Sequence, residues 1–126
     1  MAIVTAEKTV VKSVPELWQE LEDGELVSSW LNEALGEDPG PAQLVDSEPG
    51  RRAQWHYAGR TLRQAKTEIE LERKGWGTRV TLTGELKLKG FFSGSRERKA
   101  GERMQSALDR TLEELGTDSK RPFSRN

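Results

Sequence analysis

The sequence predicts an α+β domain: an antiparallel sheet with two short helices near its start and one long helix at its end. Three observations carry this. A β-branched run, Ile3 to Lys12, leads straight into a helix start. Apolar and polar residues alternate from Ala42 to Lys89, interrupted by turn residues. Apolar residues then recur at helical spacing from Met104 to Leu115.

Length and composition agree with a single folded core. The chain has 126 residues, long enough to bury one core without disulfides and too short for two. Hydrophobic and charged residues each make up 33%, and the opposite charges nearly cancel to −1, so the periodic apolar residues can collapse without strong self-repulsion. The absence of cysteine excludes disulfides, thiolate catalysis and thiolate metal sites, and it fits a reducing, cytoplasmic setting. No apolar run approaches the roughly 20 residues of a membrane span, and Glu7 and Lys8 interrupt the segment where a signal peptide would be apolar, so no membrane partner is expected. Lys and Arg are interleaved with Asp and Glu, which leaves no basic stripe for a nucleic-acid backbone.

Ile3, Val4, Thr5, Thr9, Val10 and Val11 predict the first strand. Ser13-Val-Pro-Glu16 then reads as a helix start: Ser13 caps, Glu16 reaches back to the Ser13 amide, and Pro15 fits a first turn that needs no amide partner. Leu17, Trp18 and Leu21 form its apolar face, and Asp23-Gly24 ends it. A second helix begins near Glu25, with Val27, Trp30, Leu31 and Ala34 as a buried stripe. Gly36 to Pro41, containing Asp38-Pro39-Gly40-Pro41, predicts a loop. One further strand is expected at Ala42 to Ser47. The closing helix is predicted from Arg98 to Leu115, about 27 Å long at 1.5 Å per residue and stopped by Gly116. The domain is placed at residues 1–116, and 117–126 is expected to be a flexible polar tail.

The hairpin around Gly75-Trp76 can be registered. If these two residues form the loop, with glycine supplying a positive φ, Lys74 faces Gly77 and opposed residue numbers keep a constant sum. Leu71 then meets Val80, Ile69 meets Leu82 and Ala65 meets Leu86 on one face. Glu72 meets Arg79 and Lys66 meets Glu85 on the other, so burial and charge pairing agree. In the preceding strand Ala53, Trp55 and Tyr57 share the inner face, while Gln54 and His56 face water.

Val10-Val-Lys-Ser-Val-Pro-Glu-Leu-Trp18, Trp30-Leu31 and Gly77-Thr-Arg-Val-Thr-Leu82 occur in the order of similar segments in the START-like superfamily, which includes polyketide cyclases and heat-shock ATPase activators. The chain resembles a short, divergent member of that superfamily. The resemblance implies a helix-grip fold: a curved antiparallel sheet of about five or six strands holding the long C-terminal helix, with a space between them that in many relatives takes an apolar or aromatic ligand. Relatives usually have about two more strands between the helix pair and the hairpins, a departure that argues against a deep, closed cavity.

On the inner face Thr67 opposes Gly84 beside Ala65, so small residues sit among Leu71, Leu82, Leu86 and Leu88, and something must fill the space. One reading fills it with Met104 or Leu108 of the closing helix, since native interiors leave few voids. The other makes it a ligand pocket lined by Trp55, Tyr57, Thr67, Gly84 and Met104, with Phe91 and Phe92 at its mouth. Trp18 and Trp30 read as core. The sole histidine, His56, reads as a surface residue, and Glu68, Glu70 and Glu72 as a solvated outer face. No residue pattern calls for a metal, a cofactor or a phosphate loop. Three function classes follow in order: non-catalytic binding of a small apolar or aromatic molecule, a cyclase-like enzyme, and a co-chaperone-like interaction module. The enzyme reading lacks a buried acid-base pair, and the interaction reading lacks an exposed apolar patch. A monomer or homodimer is expected.

Overall fold

The register argued for the long hairpin is the one observed. In the computed structural model of the chain, which describes residues 1–22, 24–57, 62–90 and 94–118 and the side chains of these up to 115, strands β4 (Leu62–Lys74) and β5 (Gly77–Leu88) pair antiparallel. Lys74 faces Gly77, Glu72 faces Arg79, Leu71 faces Val80, Ile69 faces Leu82, Thr67 faces Gly84 and Ala65 faces Leu86. Gly75 supplies the positive φ of the turn, at +54°. The even-numbered residues of β5 from Thr78 to Leu88 are all buried, whereas the odd-numbered ones remain partly exposed, as strict alternation requires.

Around this hairpin the sheet has the order β1-β5-β4-β3-β2, all neighbours antiparallel. β1 (Ala2–Val10) lies along β5, so the first strand pairs with the last. β3 (Arg52–Tyr57) buries Ala53, Trp55 and Tyr57 and leaves His56 exposed. β2 (Gln43–Glu48) is one residue offset from its expected bounds, and a bulge between Leu44 and Asp46 interrupts its pairing with β3. The architecture is thus the helix-grip α+β arrangement, with five strands.

Between β1 and β2 come α1 (Val14–Leu21) and α2 (Gly24–Leu35). The capping box at α1 is formed: the Glu16 amide donates to Ser13 Oγ at 3.4 Å and the Ser13 amide donates to Glu16 Oε1 at 3.3 Å. Gly36, at φ +77°, lets the chain leave α2, its amide donating to Asn32 O at 2.8 Å. The closing helix α3 runs from Gly94 to Asp118, about 37 Å at 1.5 Å per residue, longer at both ends than the spacing predicted. The apolar stripe marks only the part that packs on the sheet. Polar turns extend beyond it, and Gly116 costs a helix about 1 kcal/mol without having to end it.

α3 covers β1 and β5 and packs against α2, while α1 reaches β4. Leu17, Leu21, Val27, Trp30, Leu31, Met104 and Leu108 are buried in one continuous core with the sheet's inner face. Trp30 Nε1 donates to Thr111 Oγ1 at 3.0 Å, and Thr111 donates to Ala107 O, so the largest buried side chain is tied to α3 through a hydroxyl. At the other end of α3, the buried Glu97 carboxylate accepts from the Leu88 amide at 3.2 Å and pairs with the Met1 ammonium at 2.7 Å. Three elements converge on that one carboxylate. Outside the core, Glu72 and Arg79 pair across the hairpin, and the Arg79 guanidinium holds the Glu72 carboxyl below its usual range, by hydrogen bonding first and charge second.

Among the described residues the far edge of the sheet is left open. Leu44 shares the inner face with its partner Trp55 yet is 53% exposed, and every residue of β2 except Glu48 is exposed. At the opposite end Trp76, at the hairpin tip, is 98% exposed beside Val11 at 77%. Apolar surface outside the core stripes therefore exists, contrary to the expectation from apolar spacing.

Two substitutions test this packing. Leu108→Ala should lower unfolding stability in urea by about 2–5 kcal/mol without changing the m-value, because it removes a fully buried side chain and leaves a void. A neutral result would mean α3 does not sit on the sheet. Gly77→Ala should also destabilise, by roughly 1–3 kcal/mol, because a β-carbon there meets the Val10 carbonyl oxygen, an atom that cannot move without disturbing β1.

Candidate functional site

The inner face opposite α3 narrows to its smallest residues where Thr67 faces Gly84, and α3 fills the gap with Met104. An ideal β-carbon at position 84 would stand 2.7 Å from Met104 Sδ and 2.9 Å from its Cε. Only a residue without a side chain permits this approach. Met104 and Leu108 are both fully buried, so the space beside Gly84 is filled by α3, the first of the two readings the sequence allowed, and the described residues leave no open ligand pocket beside Gly84. The occupant is an unbranched thioether, the most adaptable of the apolar side chains.

Beside this contact runs a line of hydroxyls. Tyr57 on β3 lies 3.4 Å from Thr67 Oγ1 on β4 and 3.4 Å from Ser28 Oγ on α2. Thr67 is fully buried, Tyr57 nearly so, and Ser28 is half-buried, so the line leads from the core towards the surface. It ends in an open groove of about 750 Å³ between α2 and the loop of residues 36–42, on which Ser28, Ser29 and Asn32 present polar groups. Burial pushes the Tyr57 phenol above its ordinary pKa, a shift its two hydroxyl neighbours partly oppose. At neutral pH it is an un-ionised donor and acceptor. Trp55, on the same face, directs its indole nitrogen towards Gly24, where a β-carbon would lie 3.8 Å away.

Five of the residues singled out from the sequence thus share one region: Trp55, Tyr57, Thr67, Gly84 and Met104. Phe91 and Phe92 lie outside the described residues. His56 is exposed, and Glu68, Glu70 and Glu72 lie on the outer face with Arg52 and Arg79 among them. Among the described residues no group of three or more His, Asp and Glu is placed to hold a metal ion, and no helix is long and apolar enough to cross a membrane. Ser28 was missed. Its position beside Val27 and three residues before Leu31 put it at the rim of the α2 stripe, the only sequence signal it carried.

No protein-family model matches this sequence, and no curated protein matches it either. Solved structures do. A START superfamily protein from Mycobacterium smegmatis aligns over 95% of this chain and 100% of its own with a TM-score of 0.71, at 11% sequence identity. The chain has the START-superfamily fold. Protein Ms6760 from Mycobacterium smegmatis shares this START-like architecture over 98% of this chain and 93% of its own, with a TM-score of 0.65 and 11% identity. CalU16 from Micromonospora echinospora does so over 93% and 78%, with a TM-score of 0.61 and 17% identity. At such identities what is common to these START-like chains is the backbone path, and the chemistry of the interior is this chain's own.

Tyr57 is the only tyrosine, so an alkaline ultraviolet titration reads this phenol alone. Its midpoint should lie above the unfolded value of about 10. A phenol whose folded pKa is raised contributes stability that is fully present below the unfolded value and is lost as pH rises through the folded one. Unfolding at alkaline pH should therefore be blunted in Tyr57→Phe, whose cost at neutral pH should be only about 0.5–1.5 kcal/mol. An unshifted midpoint would place Tyr57 in water.

Proposed function

We propose that this domain binds a small apolar or aromatic molecule between the sheet and α3 without transforming it, as a cytoplasmic monomer or homodimer. The contact between Met104 and Gly84 closes the space, and what supports the reading is the kind of side chain that closes it, an unbranched thioether able to move aside. The centre of the interior is filled by one flexible arm laid against a residue that has no side chain. Withdrawal of that arm leaves a space bounded by Thr67 and Tyr57, whose hydroxyls would orient a guest, and by apolar walls, the usual make-up of a small-molecule site. The START-like fold supports the reading, since many proteins of the superfamily resemblance stated above hold apolar ligands in the corresponding place.

The same residues argue against catalysis. The described groups beside Met104 are a phenol held un-ionised and aliphatic hydroxyls, which could donate a proton to a carbonyl but supply no buried acid-base pair. Glu97, the buried carboxylate, is engaged with Met1 and Leu88.

A second reading, an interaction module, is favoured by a different observation: Trp76 stands fully exposed at the hairpin tip next to Val11. Exposed aromatics of this size are enriched at protein interfaces.

The two readings separate in a binding experiment with naphthalene and decanol as neutral probes, followed by native mass spectrometry and by thermal shift. Wild-type protein should bind one molecule saturably and melt at a higher temperature with it. Gly84→Leu should lose that binding because it occupies the same volume, and near-UV circular dichroism should show its core still packed. Trp76→Ala should bind as the wild type does. Absence of saturable binding to wild-type protein, or binding that survives Gly84→Leu, would overturn the carrier reading.

A further inference from the structure

Between the C-terminal end of α2 and the first turns of α3 lies a recess of about 280 Å³. Its floor is apolar: Leu35, Leu88 and Ala100, of which Leu88 and Ala100 belong to the buried core. Its rim carries Arg96, Lys99 and Arg103 against a single carboxylate, Glu37, so its lining has a net charge of 3 − 1 = +2 in a chain whose total is −1. The three cations follow the spacing i, i+3, i+7, which puts them on one face of α3. Arg96 donates to Lys89 O at 3.3 Å and Arg103 donates to Ala34 O at 3.4 Å, contacts that hold both guanidinium groups at the rim while using only part of their donor capacity. Among the described residues none of the three is in an ion pair, although salt bridges are common elsewhere on this surface.

The recess is in line with the interior. Ala100 is one helical turn from Met104 on the same face of α3, and Leu88 lies four residues beyond Gly84 on the same face of β5. Leu88 and Ala100 thus continue, along β5 and α3, the faces on which Gly84 and Met104 meet.

We infer that this recess is the mouth of the site and that the ligand is an anionic amphiphile, its acidic head, a carboxylate in the simplest case, held by Arg96, Lys99 and Arg103 and its apolar tail displacing Met104 from Gly84. The inference rests on the carrier reading and deepens it by naming the ligand's chemical class. Isolated exposed cations contribute little. Here three of them share one concave site with an apolar floor, where fork-shaped guanidinium groups match a carboxylate.

The test compares decanoate, decanol and decyltrimethylammonium, which share a tail and differ in head charge, in calorimetric titrations at neutral pH and low salt. Decanoate should bind the wild-type protein at least about tenfold more tightly than decanol, and the cationic probe more weakly than either. Raising the salt should shrink the decanoate advantage. In the double variant Arg96→Gln, Lys99→Gln the ratio of decanoate to decanol affinity should fall towards one. Arg103 is left in place there because it also holds the end of α2. Decyl phosphate serves as a second head group: tighter binding than decanoate at the same pH would place the natural head among phosphates, with the mouth unchanged. If decanol and decanoate bind equally, the anionic mouth is wrong and the carrier reading stands. If neither binds, both are wrong. If decanoate is preferred and the double variant keeps the preference, the head lies elsewhere and the inference fails.

Discussion

A one-residue slip of β4 against β5 would turn β4 over relative to its neighbour, sending Ala65, Ile69 and Leu71 to water and bringing Glu70 and Glu72 inside. Every other packing decision depends on that register. β1 and β3 take their parity from the two strands they flank, and α3 finds an apolar surface only because the even residues of β5 and the odd residues of β4 from Ala65 to Leu71 point the same way. The constraint is set locally by Gly75, whose positive φ gives the turn the twist that its strands need. It is reinforced by charge on the outer face, where Lys66 pairs with Glu85 and Arg79 with Glu72 and Glu7.

On the proposed function, the contact between Gly84 and Met104 is where packing and binding would compete. A native interior leaves few voids, and here the space is filled by a side chain of three rotatable bonds instead of a branched one. A guest that replaces the thioether must recover the dispersion contacts Met104 loses and must also make up for the hydroxyl line of Ser28, Tyr57 and Thr67, whose hydrogen bonds are long at 3.4 Å. Hydrogen bonds of that length give up little when rearranged, which suits the proposed site.

Much of this was legible in the chain because it follows from periodicity and turn chemistry. The hairpin register, the capping box at Ser13 and Glu16, the burial of Trp55 and Tyr57 and the exposure of His56 all come from spacing alone. The helix-grip order was legible from three short segments and their sequence. Non-local geometry was not. Nothing in Ile3 to Val10 says that this strand pairs with β5, because pairing partners are chosen by the completed sheet. Leu44 has the parity of a core residue and is exposed all the same, since among the described residues that edge is left open. The helix boundaries at Gly94 and Asp118 were missed because apolar spacing reports the packed part of a helix and is silent on its polar ends. Of the interior, the small residues at 67 and 84 were visible, but which side chain fills the space depends on how α3 is rotated, and Ser28 came into view only with α2 in place.

The pairing of β1 with β5 has a consequence for how the chain is made. Ala2 finds its partner at Leu86, so the first strand to leave a ribosome must wait, unpaired, until nearly the whole sheet has followed it out. Until then its β-branched run has an open edge on both sides, which is the condition in which strands join the wrong neighbour. The charges on it, Glu7 and Lys8, fall in the middle of that run, and Glu7 is later matched by Arg79 of β5. Charges at such places disfavour pairing with a wrong neighbour, and a contact between residues so far apart in the chain is of the kind that slows folding.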